Sequence, residues 1–456
     1  MPHAPASSPK TLPLYRVVPR LVKDPVSELA KMGTEADGRI VRLDLGPFRP
    51  YLISHPDHVQ QILKTDAANF VREGTLWQAV RRVTGHGILS EGDTWSTTRK
   101  ILQPLFTVKH TASLAEDMTE LIDDYLRAFD GHARTGRPVD AGREMTTIIN
   151  QAVAQVLFGG RISRETAAVL APEFATCATS IAFRLLLPFV PDSVPLPGDR
   201  AFMAAKKKID EIVYPLIEQA VAETSHGKDT DVLAALVRGR RGPDGEVDVH
   251  QVRHDLVSVY GTATETTAMS LTWLWGLLHE HPEVDARLRA EIARLDVDGP
   301  VRPAQVAELP YLRMVLQELL RIYPTAWIVP RQTLADTEVG GVRIKAGTHV
   351  LISPFSTHRL PEFWDRPLEF DPDRWADGKG ERRHRYAFIP FGAGPHICLG
   401  QHLFYVEAPL VVANLLSRYR PELTNPQPLT ALPGASTRPK EKLMLRLHPI
   451  ERTARA

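Results

Sequence analysis

Cysteine is nearly absent from this sequence: Cys177 and Cys398 are the two in 456 residues. A disulfide-dense secreted scaffold is thereby excluded, although one bridge remains conceivable, and the usage fits a reducing compartment. An excess of charge of one sign is missing too. With 55 basic and 54 acidic residues the formal net charge is +1, which leaves no electrostatic footprint for nucleic acid or a broadly anionic partner. No uninterrupted apolar run reaches the ~20 residues of a membrane span. The opening Met1–Lys10 segment has no apolar stretch, so neither a signal peptide nor a membrane anchor is expected. The most apolar long segment, 256–278, carries Glu265 and five threonines, which suits a helix buried in protein better than one facing lipid. The protein is expected to be cytoplasmic.

What is present describes a large helical core with a little sheet. The chain is 43% hydrophobic and 24% charged, ordinary for a globular protein. Length alone would allow about three domains. The first dozen residues, rich in Pro, Ser and Ala, are expected to be disordered, with one domain over 13–456. Residues 39–54 alternate like strands around Gly46-Pro47, and 337–353 give a second hairpin pattern around Gly340-Gly341. Helical periodicity fills much of the remainder, as in 114–129, 145–157, 209–221 and 282–295. Proline-rich stretches such as 188–197 break the helices. Strands near both ends, with no linker or repeat between them, imply one interwoven, mainly α domain with a minor β-sheet region.

The most specific segment is Phe391-Gly392-Ala393-Gly394-Pro395-His396-Ile397-Cys398-Leu399-Gly400. Its glycines permit tight turns and close backbone approach. Amides in such a turn can point at a sulfur, and a helix starting near Gly400 would add its positive end, favouring a thiolate. The apolar spacing of 403–416 supports that helix. A buried structural cysteine is the bland alternative. The decapeptide, however, resembles the haem-ligand signature of the cytochromes P450, Phe-x-x-Gly-x-(Arg/His)-x-Cys-x-Gly, at every defined position.

Four further segments resemble the same family in the expected order. Glu318 and Arg321 lie three apart on one helix face, and Arg374 follows in Asp371-Pro372-Asp373-Arg374-Trp375. In the family these would form a buried, structural charge network. Trp95 and Arg99 sit one helical turn apart and by resemblance would bind a haem propionate. Arg331 and His396 are further candidates for those anionic groups, and Phe391 and Ala263 for contact with the haem. Thr262-Ala263-Thr264-Glu265-Thr266-Thr267 is a costly cluster for a helix interior unless it serves something. It resembles the oxygen-activation motif (Ala/Gly)-Gly-x-(Asp/Glu)-Thr. Thr266 would then hydrogen-bond dioxygen or an ordered water, and Glu265 would relay protons. Ala263 and Thr262 depart from the motif and crowd its surface. Finally, Ala326 and Ile328 in the segment after Tyr323, and residues 76–89, are candidate pocket lining.

The resemblance extends over about 13–448. It implies a cytochrome P450-type single domain enclosing haem b, with Cys398 as axial ligand to the iron. The implied activity is a monooxygenase that activates dioxygen with electrons from a separate ferredoxin and ferredoxin reductase. The basic run Lys379, Arg382, Arg383, His384 and Arg385 is a candidate docking face for an acidic partner. The substrate is expected to be small and hydrophobic; residues 183–197 resemble terpene-oxidising bacterial members, which suggests a terpenoid. The alternatives are a peroxide-driven or rearrangement enzyme, from which retention of Glu265 and Thr266 distinguishes the chain, and a haem-based binding or sensor protein.

Overall fold

The computed structural model describes residues 9–187, 190–191, 193–223, 231–295 and 299–450. Its largest sheet has six strands in the order β1-β2-β3-β9-β6-β4. Strands β1 (Lys10–Leu12), β2 (Val41–Leu43), β3 (Tyr51–Ile53) and β4 (Phe70–Val71) come from the N-terminal part of the chain. Strand β5 (Val139–Asp140) belongs to another sheet, while β6 (Val329–Thr333) returns to the first. Next come β7 (Thr337–Val339), β8 (Val342–Ile344) and β9 (His349–Ile352). The interleaving of β3 with β9, parallel and with Leu52 opposite Leu351, ties residues 299 positions apart into one domain.

Both hairpins form where the alternation places them. β2 pairs antiparallel with β3, and β7 with β8. Gly340 and Gly341 take φ of 53° and 76° between them, the positive values a two-residue hairpin turn requires. The strand β1 corrects one expectation: Lys10–Leu12 does not lie in a disordered segment but pairs in parallel with β2, Leu12 opposite Leu43. Unpaired donors on the edge of β2 outweigh the polar composition there. Residues 1–8 of that segment lie outside the described residues.

Helices frame the interior: α1 (Thr75–Thr84), α2 (Gly92–Leu102), α3 (Ala141–Phe158), α4 (Arg164–Leu186), α5 (Asp199–Glu223), α6 (Val249–Glu280), α7 (Pro310–Ile322) and α8 (Gln401–Leu416). The expected helix over 114–129 is two, Ala115–Arg127 and Phe129–Thr135, and that over 282–295 ends at Ala293. Among the described residues Arg164–Leu185, within α4, is the segment apolar and long enough to cross a membrane. Its partners are protein: α4 packs on α1, α3 and α5.

Helix α6 runs through the core and is capped by Asp248, whose carboxylate accepts from Gln251 N. Several of its threonines spend their hydroxyl protons on the preceding turn. Thr262 donates to Ser258 O at 2.8 Å, Thr264 to Tyr260 O at 3.0 Å and Thr272 to Ala268 O at 2.7 Å, which satisfies these three hydroxyl protons within the helix. Further along, Trp273 is fully buried and stacks on Tyr323 at 4.0 Å with planes 4° apart.

The carboxylate of Glu318 on α7 is the hub of the expected charge network. It accepts from Arg321 Nε and Nη2, Arg374 Nε, Trp375 Nε1 and Asp371 N at 2.8–3.0 Å. Burial alone would raise this carboxyl. The bonds and charge from Arg321 and Arg374 win and hold it below the usual range.

Candidate functional site

Cys398 sits on a loop braced from both sides. Its own N–H donates to Phe391 O at 2.9 Å, and Ile397 N to Gly394 O at 3.1 Å, which curls 391–398 into a compact turn. Gly394 has φ of 70°, and a Cβ there would meet Leu63 O at 1.7 Å; only glycine fits. Two guanidiniums clamp the outside. Arg99 Nη1 donates to Ile397 O at 2.6 Å, and Arg72 Nη2 to His396 O at 3.1 Å. The sulfur receives the amides of Gly400 and Gln401 at the start of α8. Burial pushes the thiol up, while those amides and the charges of Arg99 and Arg72 pull it down. Cys398 lies deep in the protein with its surface open to a cavity of about 420 Å³.

That cavity collects every residue the sequence singled out for the site: Trp95, Arg99, Ala263, Glu265, Thr266, Arg331, Phe391, His396 and Cys398 all line it. So do Leu76, Trp77, Val80, Ala326 and Ile328, from the two stretches expected to form the pocket. On the wall formed by α6, Thr266 Oγ1 donates to Thr262 O at 2.9 Å. Burial raises the Glu265 carboxyl to about 7, partly offset by the field of Arg438. It is therefore a group that can gain and lose a proton at neutral pH.

The cationic edge is richer than the sequence suggested. Arg72, just after β4, has its Nε buried without a hydrogen-bond partner, as does His396 at Nδ1. Arg331 spends one nitrogen on the adjacent Pro330 O at 2.8 Å. Desolvation, then the nearby Arg331, lowers Arg72 to about 9, and desolvation lowers Arg331 to about 10. Glu91 is the carboxylate that meets them: it accepts from Arg72 N at 2.8 Å and pairs with His396 Nε2 at 3.1 Å. Trp95 packs its indole on that imidazole, ring centres 4.2 Å apart. Buried guanidiniums with spare donors are costly unless an anion completes them. This edge therefore fits the carboxylates of a haem, with Cys398 placed for its iron.

Arg72 and Glu91 escaped the sequence reading because their signal is purely spatial. Glu407 on α8 also escaped it, although a lone carboxyl within Leu403–Leu416 was a visible oddity. It lines the same cavity, its Oε1 has no hydrogen-bond partner, and burial raises it to about 8. The expected docking run is only partly a charged face. Arg383 turns inward over the Trp364 and Trp375 rings, at 4.6 and 5.7 Å, because aromatic faces attract a guanidinium. His384 pairs with Asp57 at 3.1 Å, and Arg385 is exposed. The side chains of Lys379 and Arg382 lie outside the described residues.

Comparison with known proteins agrees with this geometry. The Cytochrome P450 family matches residues 6–446. Cyclooctat-9-en-7-ol 5-monooxygenase of Streptomyces melanosporofaciens is 32% identical over 423 residues, covering 92% of this chain and 90% of the relative. Pentalenene oxygenase of Streptomyces avermitilis is 28% identical, covering 95% and 93%. Among solved structures, the cytochrome P450DA heme domain superposes with a TM-score of 0.83 at 24% identity, covering 98% of each chain. With the cysteine loop, the carboxyl–threonine pair of α6 and the buried Glu318 network all on one fold, the chain belongs to the cytochrome P450 family and is one of its monooxygenases.

Proposed function

We propose that the protein holds haem b through Cys398 and inserts one atom of dioxygen into a small hydrophobic terpenoid. A cytoplasmic ferredoxin and its reductase supply the electrons. The observation that carries the reading is that Cys398, Glu265 and Thr266 line one predominantly apolar cavity. The names of two relatives, a cyclooctat-9-en-7-ol monooxygenase and a pentalenene oxygenase, support the substrate class.

The geometry supports the following roles. Cys398 would hold the haem through its thiolate, and the bound group would supply reductive activation of dioxygen. Arg72, Arg99, Arg331 and His396 hold the anionic edge of that group. Leu76, Val80, Ile181 and Ile328 exclude water and take up the hydrocarbon surface of the substrate. Glu265, balanced near neutrality, holds a proton at its carboxyl and passes it inward, with the Thr266 hydroxyl next in the helix.

The test starts with the purified protein, reduced and exposed to carbon monoxide. A strongly red-shifted Soret band that disappears in Cys398→Ala is the expected result. A histidine-type band, or a folded protein that takes up no haem, overturns the assignment. Terpenes, fatty acids and aromatic compounds are then titrated against the haem absorption band, and product formation is measured with ferredoxin, reductase and NADPH. Band shifts by fatty acids but not terpenes would refute the terpenoid assignment alone.

A further inference from the structure

The α6 wall carries a polar group that the functional reading leaves unused. Thr262 is exposed, although the preceding residues Leu256–Tyr260 are all buried, and it lines the internal cavity. Its neighbour Gly261 is closed off, since a Cβ there would meet the Phe174 ring at 3.0 Å. The helix thus comes close to α4 at 261 and presents its open side chain at 262. The hydroxyl proton of Thr262 is committed to Ser258 O at 2.8 Å, with Val259 O at 3.1 Å. What remains on Oγ1 is lone pairs, so toward the cavity this oxygen is an acceptor.

Val83, Phe174, Ile181 and Val259 line the same cavity, beside the polar Glu265, Thr266, Thr267 and Ser270 of the helix itself. Of the three indoles that line the cavity, two are spent, Trp77 Nε1 on Pro330 O at 3.1 Å and Trp327 Nε1 on Gly434 O at 3.0 Å, while Trp95 packs on His396. Thr84, buried, donates to Val80 O at 3.2 Å. A hydrocarbon packed there would put carbon against the Thr262 acceptor in place of water, which is unfavourable. A substrate carrying one hydroxyl would satisfy it.

We propose that Thr262 Oγ1 accepts a hydrogen bond from a hydroxyl of the substrate, so that the cavity selects a terpene alcohol over the parent hydrocarbon. Thr262 is then a specificity-determining residue, and its role rests on the terpenoid reading above. The alcohol loses hydrogen bonds to water on entering, so the informative quantity is a change of preference between variants rather than the preference itself.

The experiment titrates the haem-loaded protein with two matched pairs, cedrol with cedrane and menthol with p-menthane, following the haem absorption band. Wild type is compared with Thr262→Val, which keeps the shape and removes the acceptor, and with Thr262→Ser, which keeps the acceptor. The alcohol-over-hydrocarbon affinity ratio should fall about fivefold in Thr262→Val, the worth of one net hydrogen bond. It should return to the wild-type value in Thr262→Ser. An unchanged ratio in Thr262→Val, with bands that do shift, overturns the role of Thr262 and leaves the terpenoid assignment standing. Absence of any shift with all four compounds in wild type overturns both.

Discussion

Glu318→Gln tests how far the haem-binding core depends on one carboxylate. In the native protein that group is fully buried and meets two guanidiniums, one indole and one backbone amide. The amide of glutamine is close to isosteric, so no cavity forms. It fails for two other reasons. One oxygen becomes an NH2 that faces donors, and the Arg321 and Arg374 charges, both buried, lose the anion between them. Breaking a buried pair while leaving its partner charged costs about 3–5 kcal/mol, and two cations share this partner, so the upper end is expected. Asp373→Asn is the control. It removes the anion from a bridge to Arg287 at 2.8 Å in which both side chains are about half exposed, 53% and 55%. Such a bridge is worth roughly 0–1 kcal/mol. Urea unfolding of the haem-loaded proteins, read by loss of the thiolate-type Soret band, compares the three without the ionic screening guanidinium would add. A Glu318→Gln midpoint as close to wild type as that of the control would refute the reasoning.

Other consequences follow from the same contacts. Glu407 has its pKa raised to about 8 from 4.5; the stability it contributes is complete below pH 4.5 and is lost as pH rises through 8. Glu407→Gln should therefore flatten the decline of melting temperature across that window and be the more stable form at pH 8; parallel curves would refute this. Glu265→Gln should lower reductant-dependent turnover by about 100-fold, the low end for a lost proton-transfer group. In the wild type, turnover should fall as pH passes 7 and the protonated carboxyl is depleted, a limb that stopped-flow pH profiles of Glu265→Gln should lack. Arg72→Met should speed haem loss to excess apomyoglobin by about 10-fold or more, the worth of a charged hydrogen bond; unchanged loss would show that Arg72 serves the loop alone.

Much of this fold was legible because its signals are local. The Gly340-Gly341 turn and the spacing of Glu318 and Arg321 act within a few residues, and each appears where the pattern put it. The decapeptide around Cys398 was equally legible, since its glycines answer to backbone geometry in their own turn. What the sequence hid depends on distant neighbours. Arg72 and Glu91 are ordinary charged residues until β4 and the start of α2 are brought against His396, more than 300 positions away. Arg383 looked like a surface cation, and only the Trp364 and Trp375 rings turn it inward. Lys10–Leu12 looked like part of a loose tail until the edge of β2 offered it partners.

The cavity also shows why one cause, desolvation, yields two different chemistries. It lowers Arg72 and Arg331 and raises Glu265 and Glu407, in each case disfavouring the charged form. The two kinds of group have different ways out. A guanidinium at about 9 or 10 still keeps its proton at neutral pH, so its relief must come from an anion brought into the site. A carboxyl at about 7 or 8 finds relief in a proton, which it takes up and releases without any partner. Burial of the same depth thus makes the Arg72–Arg331 edge a place that demands an anionic ligand. It leaves Glu265 and Glu407 as carboxyls that can hold a proton near neutral pH, a difference set by the intrinsic basicity of the residues.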